Sequence, residues 1–293
     1  MIPTKISHWL QASRPFTLPA SVSPVLVGAA LALRDDCFLP LNAALCLLVA
    51  VSAQVASNYA NDYFDYRNGS DTSERLGPPR AVASGWISAG AMLRATLIAV
   101  MIACVCGFSL AMLAGWELLL VGLAIVLCVP AYSAGPWPLS RKGLGDVCVV
   151  IFYGLVPVGF TYYVQAGRFG TLAMLLGAGT GLLAANILVA NNCRDCEEDR
   201  RSGKRTTVVM FGMRFGQMLY MFNNVTAMLL MLILLRGAPA WFVLPYAAVG
   251  AMMIRTWRSL CSRSGRELIP VLVHTSRNLL LYALLAAWMA IAH

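Results

Sequence analysis

Charged side chains are scarce in this chain. Asp, Glu, Lys and Arg together supply 12% of its 293 residues, whereas a soluble domain usually carries about 25%. No hydrophilic stretch is long enough to form a separate soluble domain, so residues 1–293 are expected to form a single intramembrane domain. The shortage of charge therefore excludes an ordinary soluble fold and places the function in apolar helices and their short loops.

Histidine is rarer still, which argues against a zinc-type metal centre. The three histidines, His8, His274 and His293, are far apart in the sequence. Cys193 and Cys196 form a lone C-x-x-C pair without a second pair or a neighbouring histidine, so no zinc site is expected there. The other cysteines lie mostly in apolar runs, where cysteine behaves as a small hydrophobe.

Apolar runs recur along the whole chain, and hydrophobic residues make up 59% of it. A membrane helix needs about 17 to 25 such residues, and each run is predicted to be helical because lipid cannot satisfy an open backbone. The prediction is an all-α polytopic membrane protein with nine transmembrane helices around a central cavity that opens to the cytoplasmic side. The predicted spans are roughly residues 18–33, 41–60, 93–114, 118–135, 146–165, 171–192, 217–235, 239–257 and 270–291.

Basic residues are distributed unevenly between the two sides of this predicted bundle. Of the 22 Lys and Arg residues, only Arg34, Arg168 and Arg236 fall on the side opposite the amino terminus. The positive-inside rule therefore predicts a cytoplasmic amino terminus and a periplasmic, outside carboxyl terminus. The same bias explains the net charge of +9, so no nucleic acid partner is expected.

Seven of the 13 acidic residues lie in two clusters at predicted helix ends. NDYFDYRNGSD, residues 61–71, follows the second span, and NNCRDCEEDRRSGKRT, residues 191–206, follows the sixth. Residues four apart share one face of a helix. The residues with this spacing are Asn61 and Asp65 in the first cluster, and Asn191, Asp195 and Asp199 in the second. Both helix ends are predicted to be cytoplasmic, where the two rows can face one another.

Carboxylate and amide oxygens are hard ligands that suit magnesium. Two facing rows of them predict a cradle for two magnesium ions and a pyrophosphate, whose charge nearby basic side chains also neutralise. Carboxylates at a membrane surface are a functional hypothesis by default, although the charged run after Asp195 is also typical of a solvated loop end. The basic residues next to the clusters are Arg67, Arg75, Arg80, Arg141, Lys142, Lys204 and Arg205.

With these clusters in view, the chain resembles the UbiA-type intramembrane aromatic prenyltransferases over nearly its whole length. That superfamily carries N-D-x-x-D and D-x-x-x-D motifs, matched here by NDYFD at 61–65 and DCEED at 195–199. The finer resemblance is to the 1,4-dihydroxy-2-naphthoate polyprenyltransferase branch. It is carried by RPFTLPASVSPVLVG (14–28), NDYFDYRNGSDT (61–72), YSAGPWPLSRKGLGD (132–146) and NNCRDCEEDRRSGKRT (191–206).

The resemblance implies an enzyme that joins a polyprenyl diphosphate to 1,4-dihydroxy-2-naphthoate. Carbon dioxide and diphosphate leave, and demethylmenaquinone is formed for menaquinone synthesis. The site would use two magnesium ions on the cytoplasmic side of a bacterial plasma membrane. The catalytic residues implied are Asp65, Asp195, Asp199, Lys142 and Asp146. The implied diphosphate contacts are Arg75, Arg80, Lys142, Lys204 and Arg205, and the implied metal ligands are Asn61, Asp62, Asp65, Asp71, Asn191, Asn192, Asp195 and Asp199.

Two alternatives stay open on the sequence alone. A sibling enzyme that prenylates 4-hydroxybenzoate or homogentisate would carry the same two aspartate motifs. A cation-coupled transporter also uses membrane carboxylates, although transporters place them near the bilayer midplane in interrupted helices, and here they lie at helix ends. The isoprenoid length and the oligomeric state are not predicted.

Overall fold

The computed structural model describes residues 4–67, 77, 79–123, 142–236 and 238–292. Within those ranges every regular element is a helix. The helices are α1 (Thr4–Ala12), α2 (Pro19–Arg34), α3 (Pro40–Arg67), α4 (Ala89–Ala114), α5 (Gly145–Ala166), α6 (Thr171–Arg194), α7 (Cys196–Arg201), α8 (Thr207–Phe211), α9 (Met213–Leu235), α10 (Val243–Ser262) and α11 (Ile269–Ile291). Short 3-10 turns occur at Pro15–Thr17, Ala240–Phe242 and Gly265–Leu268.

Each predicted span except the fourth coincides with one of these helices. Of the fourth predicted span only residues 118–123 are described, and they are helical. The largest difference is in α3, which was expected to end near residue 60 but continues to Arg67. The first acidic cluster therefore begins inside a helix, which gives Asn61 and Asp65 the helical spacing that their chemistry needs.

Six helices in the described ranges are long and apolar enough to cross a membrane. A seventh is obtained if α1 and the following 3-10 turn are joined to α2, from which they are bent by 57°. The helix α10 is not among these because its second half, RTWRSLCS, is polar. The helical membrane architecture is therefore confirmed, whereas nine spans and the orientation of the termini stay predictions.

The helix α6 lies at the centre of the bundle. Within its most apolar stretch 67% of the residues are buried, against 17% for α3 and 22% for α4. It packs against α9, α5, α11 and α2. Its sequence GAGTGLLAA supplies the small side chains that allow membrane helices to approach closely. The second acidic cluster is thus carried by the most enclosed helix of the fold.

Close approach of α5 and α6 depends on glycine. A Cβ atom added to Gly181 would lie 2.9 Å from the Cα of Val150 and 3.1 Å from the Cα of Gly154. Here α5 contains a single π-helical turn, Ile151–Leu155, a distortion often found near functional sites. The crossing fixes the position of the start of α5 relative to the end of α6.

Buried amides join α6 to α9 within the membrane. The side chain of Asn186 donates to the Oδ1 of Asn224 at 2.9 Å and to the carbonyl of Tyr220 at 3.1 Å, and its Oδ1 accepts from Asn223 at 2.9 Å. Interhelical hydrogen bonds of this kind hold membrane helices in one register. They fix the rotation and the register of α6 against α9.

Both acidic clusters lie at the same end of the bundle. The Asn42 side chain donates to the carbonyl of Val164 at 2.5 Å, and the N–H of Leu39 donates to Gln165 Oε1 at 3.0 Å, so α3 begins where α5 ends. The helix α6 begins at Thr171, shortly after that end of α5. Since α3 and α6 start at one end and both cross the bundle, their acidic carboxyl ends lie at the other.

We expect Gly181→Ala to destabilise the bundle, because the added methyl group meets backbone atoms that cannot move independently. Overpacking of this kind costs about 1–3 kcal/mol. The matched control is Gly107→Ala in α4, where an added Cβ has no neighbour within 4 Å. Thermal unfolding in detergent should show a lower Tm for Gly181→Ala and no decrease for Gly107→Ala. Equal Tm values for the two variants would contradict the close crossing.

Candidate functional site

The first cluster occupies the last turns of α3. Asn61 is exposed, and Asp65 has 36% of its side chain exposed. The Asp65 carboxylate forms an ion pair with Arg80, whose side chain is 7% exposed. A charged guanidinium is seldom buried without a partner, so this ion pair accounts for the position of Arg80. It brings together two residues that were predicted independently for the metal and diphosphate sites.

Asp62, in the same cluster, has a different environment. It is 2% exposed, and its two carboxylate oxygens accept the backbone N–H groups of Ala81 and Val82, each at 3.0 Å. Charge-assisted bonds from backbone N–H groups are strong and directional. The prediction of Asp62 as a metal ligand is not tested by this arrangement, but its oxygens are already engaged by the loop.

The second cluster spans a break between two helices. Asp195 ends α6 and precedes α7, with φ −96° and ψ 8°. Hydrogen bonds nevertheless continue through the break, from the N–H of Asp195 to the carbonyl of Asn191 at 2.9 Å and from the N–H of Asp199 to the carbonyl of Asp195 at 2.8 Å. The spacing of four residues therefore still corresponds to one helical turn, as predicted.

Each aspartate of the second cluster also has a cation beside it. Arg194 donates through Nε and an Nη to the two oxygens of Asp195, both at 2.6 Å, and is itself buried. Lys204 donates to Asp199 Oδ1 at 3.1 Å. The other oxygen of Asp199 is buried and has no hydrogen-bond partner. Burial raises the pKa of the Asp199 carboxyl, and the Lys204 ammonium opposes that rise.

Amide side chains flank both clusters. Asn191 is partly exposed, whereas Asn192 is buried at 5% exposure. The Asn61 and Asn191 side chains are thus accessible from outside the protein, whereas Asn192 lies within it. All three stay predictions as metal ligands.

Asp146 lies at the start of α5, near the end of α6. Its Oδ2 accepts a hydrogen bond from Thr207 Oγ1 at 2.7 Å, and its Oδ1 is buried without a partner. The neighbouring Thr206 caps α8, since its side chain accepts from the N–H of Val209 at 3.3 Å. Lys142, just before Asp146 in the sequence, and Arg205, which directly precedes Thr206, are both exposed. One oxygen of the Asp146 carboxylate is thus held by Thr207, and the other is buried without a hydrogen-bond partner.

Two predicted site residues, Asp71 and Arg75, lie outside the described residues. Two apolar cavities among the described residues, of about 230 and 270 Å³, are lined by α4 and by α9 with α10, and neither contains a predicted site residue. The central cavity that the sequence predicts therefore stays a prediction.

The oxygens present suit magnesium. Within the described part of the chain no three His, Cys, Asp or Glu side chains form a group that could hold a metal ion. Magnesium is usually bound by only one or two carboxylates, with waters and substrate phosphates completing its shell. The unpartnered buried oxygen of Asp199 and the partly exposed carboxylate of Asp65 fit that requirement.

Sequence reasoning missed two residues of this site. Arg194 was counted only toward the charge bias, although a basic residue next to Asp195 at a helix end was a usable signal. Thr207 gave no signal, because it is 61 residues from Asp146. Cys193 and Cys196 are both buried and packed in the main core, and burial raises the pKa of the Cys196 thiol.

Comparisons with known proteins match the chain along most of its length. Residues 21–276 match the UbiA prenyltransferase family. A 1,4-dihydroxy-2-naphthoate octaprenyltransferase from Haemophilus influenzae is 36% identical over 300 residues, which cover 97% of this chain and 96% of the relative. An enzyme of the same name from Mycobacterium tuberculosis is 34% identical over 281 residues, covering 96% of each chain.

Solved structures share the fold at lower identity. A UbiA homologue from Archaeoglobus fulgidus bound to GPP and Mg²⁺ has a TM-score of 0.66 at 16% identity, covering 98% of this chain and 100% of that one. A digeranylgeranylglyceryl phosphate synthase has a TM-score of 0.59 at 17% identity and 99% coverage of each. These likenesses identify the helical architecture.

The two aspartates of the second cluster, Asp195 and Asp199, are expected to bind divalent metal. Asp195→Asn and Asp199→Asn should each weaken Mn²⁺ binding, used as a probe for magnesium, by at least about tenfold, because each removes a charge from a hard-ligand site. The matched control is Glu197→Gln, since Glu197 is 72% exposed and pairs only with Arg200 in the described residues. Titration of purified protein followed by electron paramagnetic resonance measures the affinity. Unchanged binding in both aspartate variants would remove them from the metal site.

Proposed function

This chain belongs to the UbiA prenyltransferase family, and we propose that it transfers a polyprenyl group from polyprenyl diphosphate to 1,4-dihydroxy-2-naphthoate. Carbon dioxide and diphosphate leave, and the demethylmenaquinone skeleton is formed. The observation that carries this proposal is the near-complete alignment with relatives named for this activity. The paired acidic clusters at one end of the bundle supply a site of matching chemistry.

Asn61, Asp65, Asp195 and Asp199 hold two magnesium ions in this proposal, assisted by Asp71, Asn191 and Asn192. When bound, magnesium neutralises the negative charge that develops on the departing diphosphate. The carboxylates of each cluster would hold the magnesium at the end of their own helix. The donor set supports magnesium because every proposed ligand is a hard oxygen.

Basic side chains hold the diphosphate itself. Arg80 and Lys204 already lie against Asp65 and Asp199, so either cation is within reach of a diphosphate bound at those carboxylates. A guanidinium can bind two phosphate oxygens at once, whereas the Lys ammonium acts as a compact charge. Arg75, Lys142 and Arg205 are the remaining proposed contacts.

Asp146 orients the aromatic acceptor. Its unpartnered Oδ1 accepts a hydrogen bond from a ring hydroxyl, while Thr207 fixes the carboxylate through Oδ2. This keeps the electron-rich ring facing the carbon that loses diphosphate. The C–O bond of the donor breaks, the ring forms the new C–C bond, and the ring carboxylate leaves as carbon dioxide.

Apolar helices around the site exclude water, which would otherwise capture the allylic cation. They also let the isoprenoid tail remain in lipid while its diphosphate reaches the polar helix ends. In this proposal the site faces the cytoplasm and the protein resides in a bacterial plasma membrane, as the positive-inside bias indicates.

Purified protein should form a prenylated, decarboxylated naphthoate product from 1,4-dihydroxy-2-naphthoate, octaprenyl diphosphate and magnesium, detected by mass. Asp195→Ala should lower kcat at least about a hundredfold, since it removes a charge that acts on the leaving group. The control Glu197→Ala changes an outward-facing carboxylate of the same cluster and should retain activity.

Other outcomes of this assay would redirect the assignment. Activity that survives Asp195→Ala contradicts the site while leaving the reaction intact. Product formed only with 4-hydroxybenzoate or homogentisate moves the protein to a sibling reaction. Cation flux into vesicles without any prenylated product would favour a transporter.

Substitution of Asp146 tests the acceptor site separately. Asp146→Ala should raise the KM for 1,4-dihydroxy-2-naphthoate at least about tenfold, because a bound hydroxyl loses a charged acceptor, and leave the KM for the prenyl donor within about twofold. Thr207→Val, which removes only the supporting hydroxyl, should have a smaller effect in the same direction. A rise confined to the donor KM would assign Asp146 to the diphosphate side instead.

A further inference from the structure

Asp62 is much more deeply buried than Asp65, and the two N–H groups that donate to it lie in one loop. Its oxygens accept the N–H groups of Ala81 and Val82. These groups open a helical turn in which the N–H of Ser84 bonds to the carbonyl of Arg80 at 2.9 Å. The first N–H groups of any helical turn lack partners within the turn, and Asp62 supplies them from another helix.

We propose that Asp62 is a positioning residue that sets Arg80 against Asp65 and the diphosphate, and that it acts through this turn. The inference rests on the proposed function, because the diphosphate is the group that Arg80 would bind. Asp62 and Asp65 are three residues apart on α3 and so lie on neighbouring parts of one face. Three consecutive residues of the turn contact these two carboxylates. The Arg80 side chain forms an ion pair with Asp65, and the next two backbone N–H groups donate to Asp62.

Asp62 provides the acceptors for two buried N–H groups at the start of the turn. Ala81 and Val82 are 1% and 5% exposed, so their N–H groups would be buried without partners if Asp62 were lost. A buried donor left unsatisfied is strongly unfavourable, and the turn would shift to satisfy it. Arg80 begins the turn and would move with it.

Apolar packing holds the turn down but does not orient Arg80. The side chains of Ala81, Val82 and Ile87 pack with Ala12 of α1 and Met92 of α4 in one small cluster. Such packing is non-directional. The two hydrogen bonds to Asp62 are directional, so they determine which way the start of the turn faces.

Asp62 is far less exposed than Asp65, a proposed metal ligand of the same cluster. Asp65 has 36% of its side chain exposed and can meet a metal ion and a substrate phosphate together. Asp62, at 2% exposure, is enclosed between α3 and the loop. The pattern N-D-x-x-D therefore contains one carboxylate that can face the ligand and one that faces the loop.

A double-mutant cycle tests this role. The affinity for inorganic pyrophosphate in saturating magnesium is measured by calorimetry for wild type, Asp62→Asn, Arg80→Ala and the double variant. The Asn side chain can accept from only one of the two backbone N–H groups and turns its own N–H₂ toward the other. Asp62→Asn should therefore weaken pyrophosphate binding about tenfold. In the Arg80→Ala background the same change should alter affinity by less than about twofold, because the residue through which it acts is gone. Equal effects in both backgrounds would overturn the proposal.

A second variant removes the contact from the other side. Val82→Pro deletes the N–H that Asp62 Oδ1 accepts and leaves the carboxylate intact, and proline is tolerated in the first turn of a helix. It should weaken pyrophosphate binding as Asp62→Asn does, whereas a direct ligand role predicts no effect. This variant still tests the role of the contact if Asp62→Asn does not fold.

Two controls separate positioning from folding and from metal binding. Ser88→Ala removes the cap of α4, where Ser88 accepts from the N–H of Ala91, and should lower Tm without changing pyrophosphate affinity. Mn²⁺ affinity without pyrophosphate should be unchanged in Asp62→Asn and weakened in Asp65→Asn. Loss of Mn²⁺ binding in Asp62→Asn would make it a ligand and refute the positioning role.

Failure of the proposed function would be distinguishable from failure of this inference. Wild-type protein that binds magnesium pyrophosphate but makes no prenylated naphthoate would reject the reaction alone. The coupling between Asp62 and Arg80 would still be measured, since the cycle uses binding and not turnover.

Discussion

Charge compensation at the ends of two membrane helices is the interaction on which this site depends. A carboxylate near lipid is unfavourable unless it is paired, and here Asp65 lies against Arg80, Asp195 against Arg194, and Asp199 against Lys204. The same pairing suits the proposed reaction. A metal ion bound by these carboxylates would leave the same cations beside it, where the negative diphosphate of the proposed reaction would need them.

The scaffold makes that arrangement possible by holding two distant segments at one end of the bundle. Gly181 allows α5 and α6 to cross closely, and the Asn186 amide network ties α6 to α9. Contacts such as that of Asn42 with Val164 place the starts of α3 and α6 at the opposite end from the acidic clusters. Apolar helices thus carry the polar side chains of the site at their ends, where water and polar substrates can reach them.

The sequence predicted the helices and the acidic rows because both follow from local periodicity. The spacing of Asn61 and Asp65 lies within one helix, so it survives folding unchanged. Contacts between segments distant in sequence were not predictable in this way. The bonds from Ala81 and Val82 to Asp62 depend on how the loop after α3 folds back. The same pattern of residues gave Asp62 and Asp65 one predicted role, and only tertiary structure distinguishes their surroundings.

In the proposed site, both acidic clusters bind one magnesium diphosphate group together. A structure determined with magnesium and a prenyl thiolodiphosphate, which resists cleavage, tests it most directly. We expect Asp65 and at least one of Asp195 and Asp199 to ligate metal around the same diphosphate, with Arg80 and Lys204 hydrogen-bonded to its oxygens. Metal and diphosphate bound by one cluster alone, with the other still paired to its cations, would contradict it.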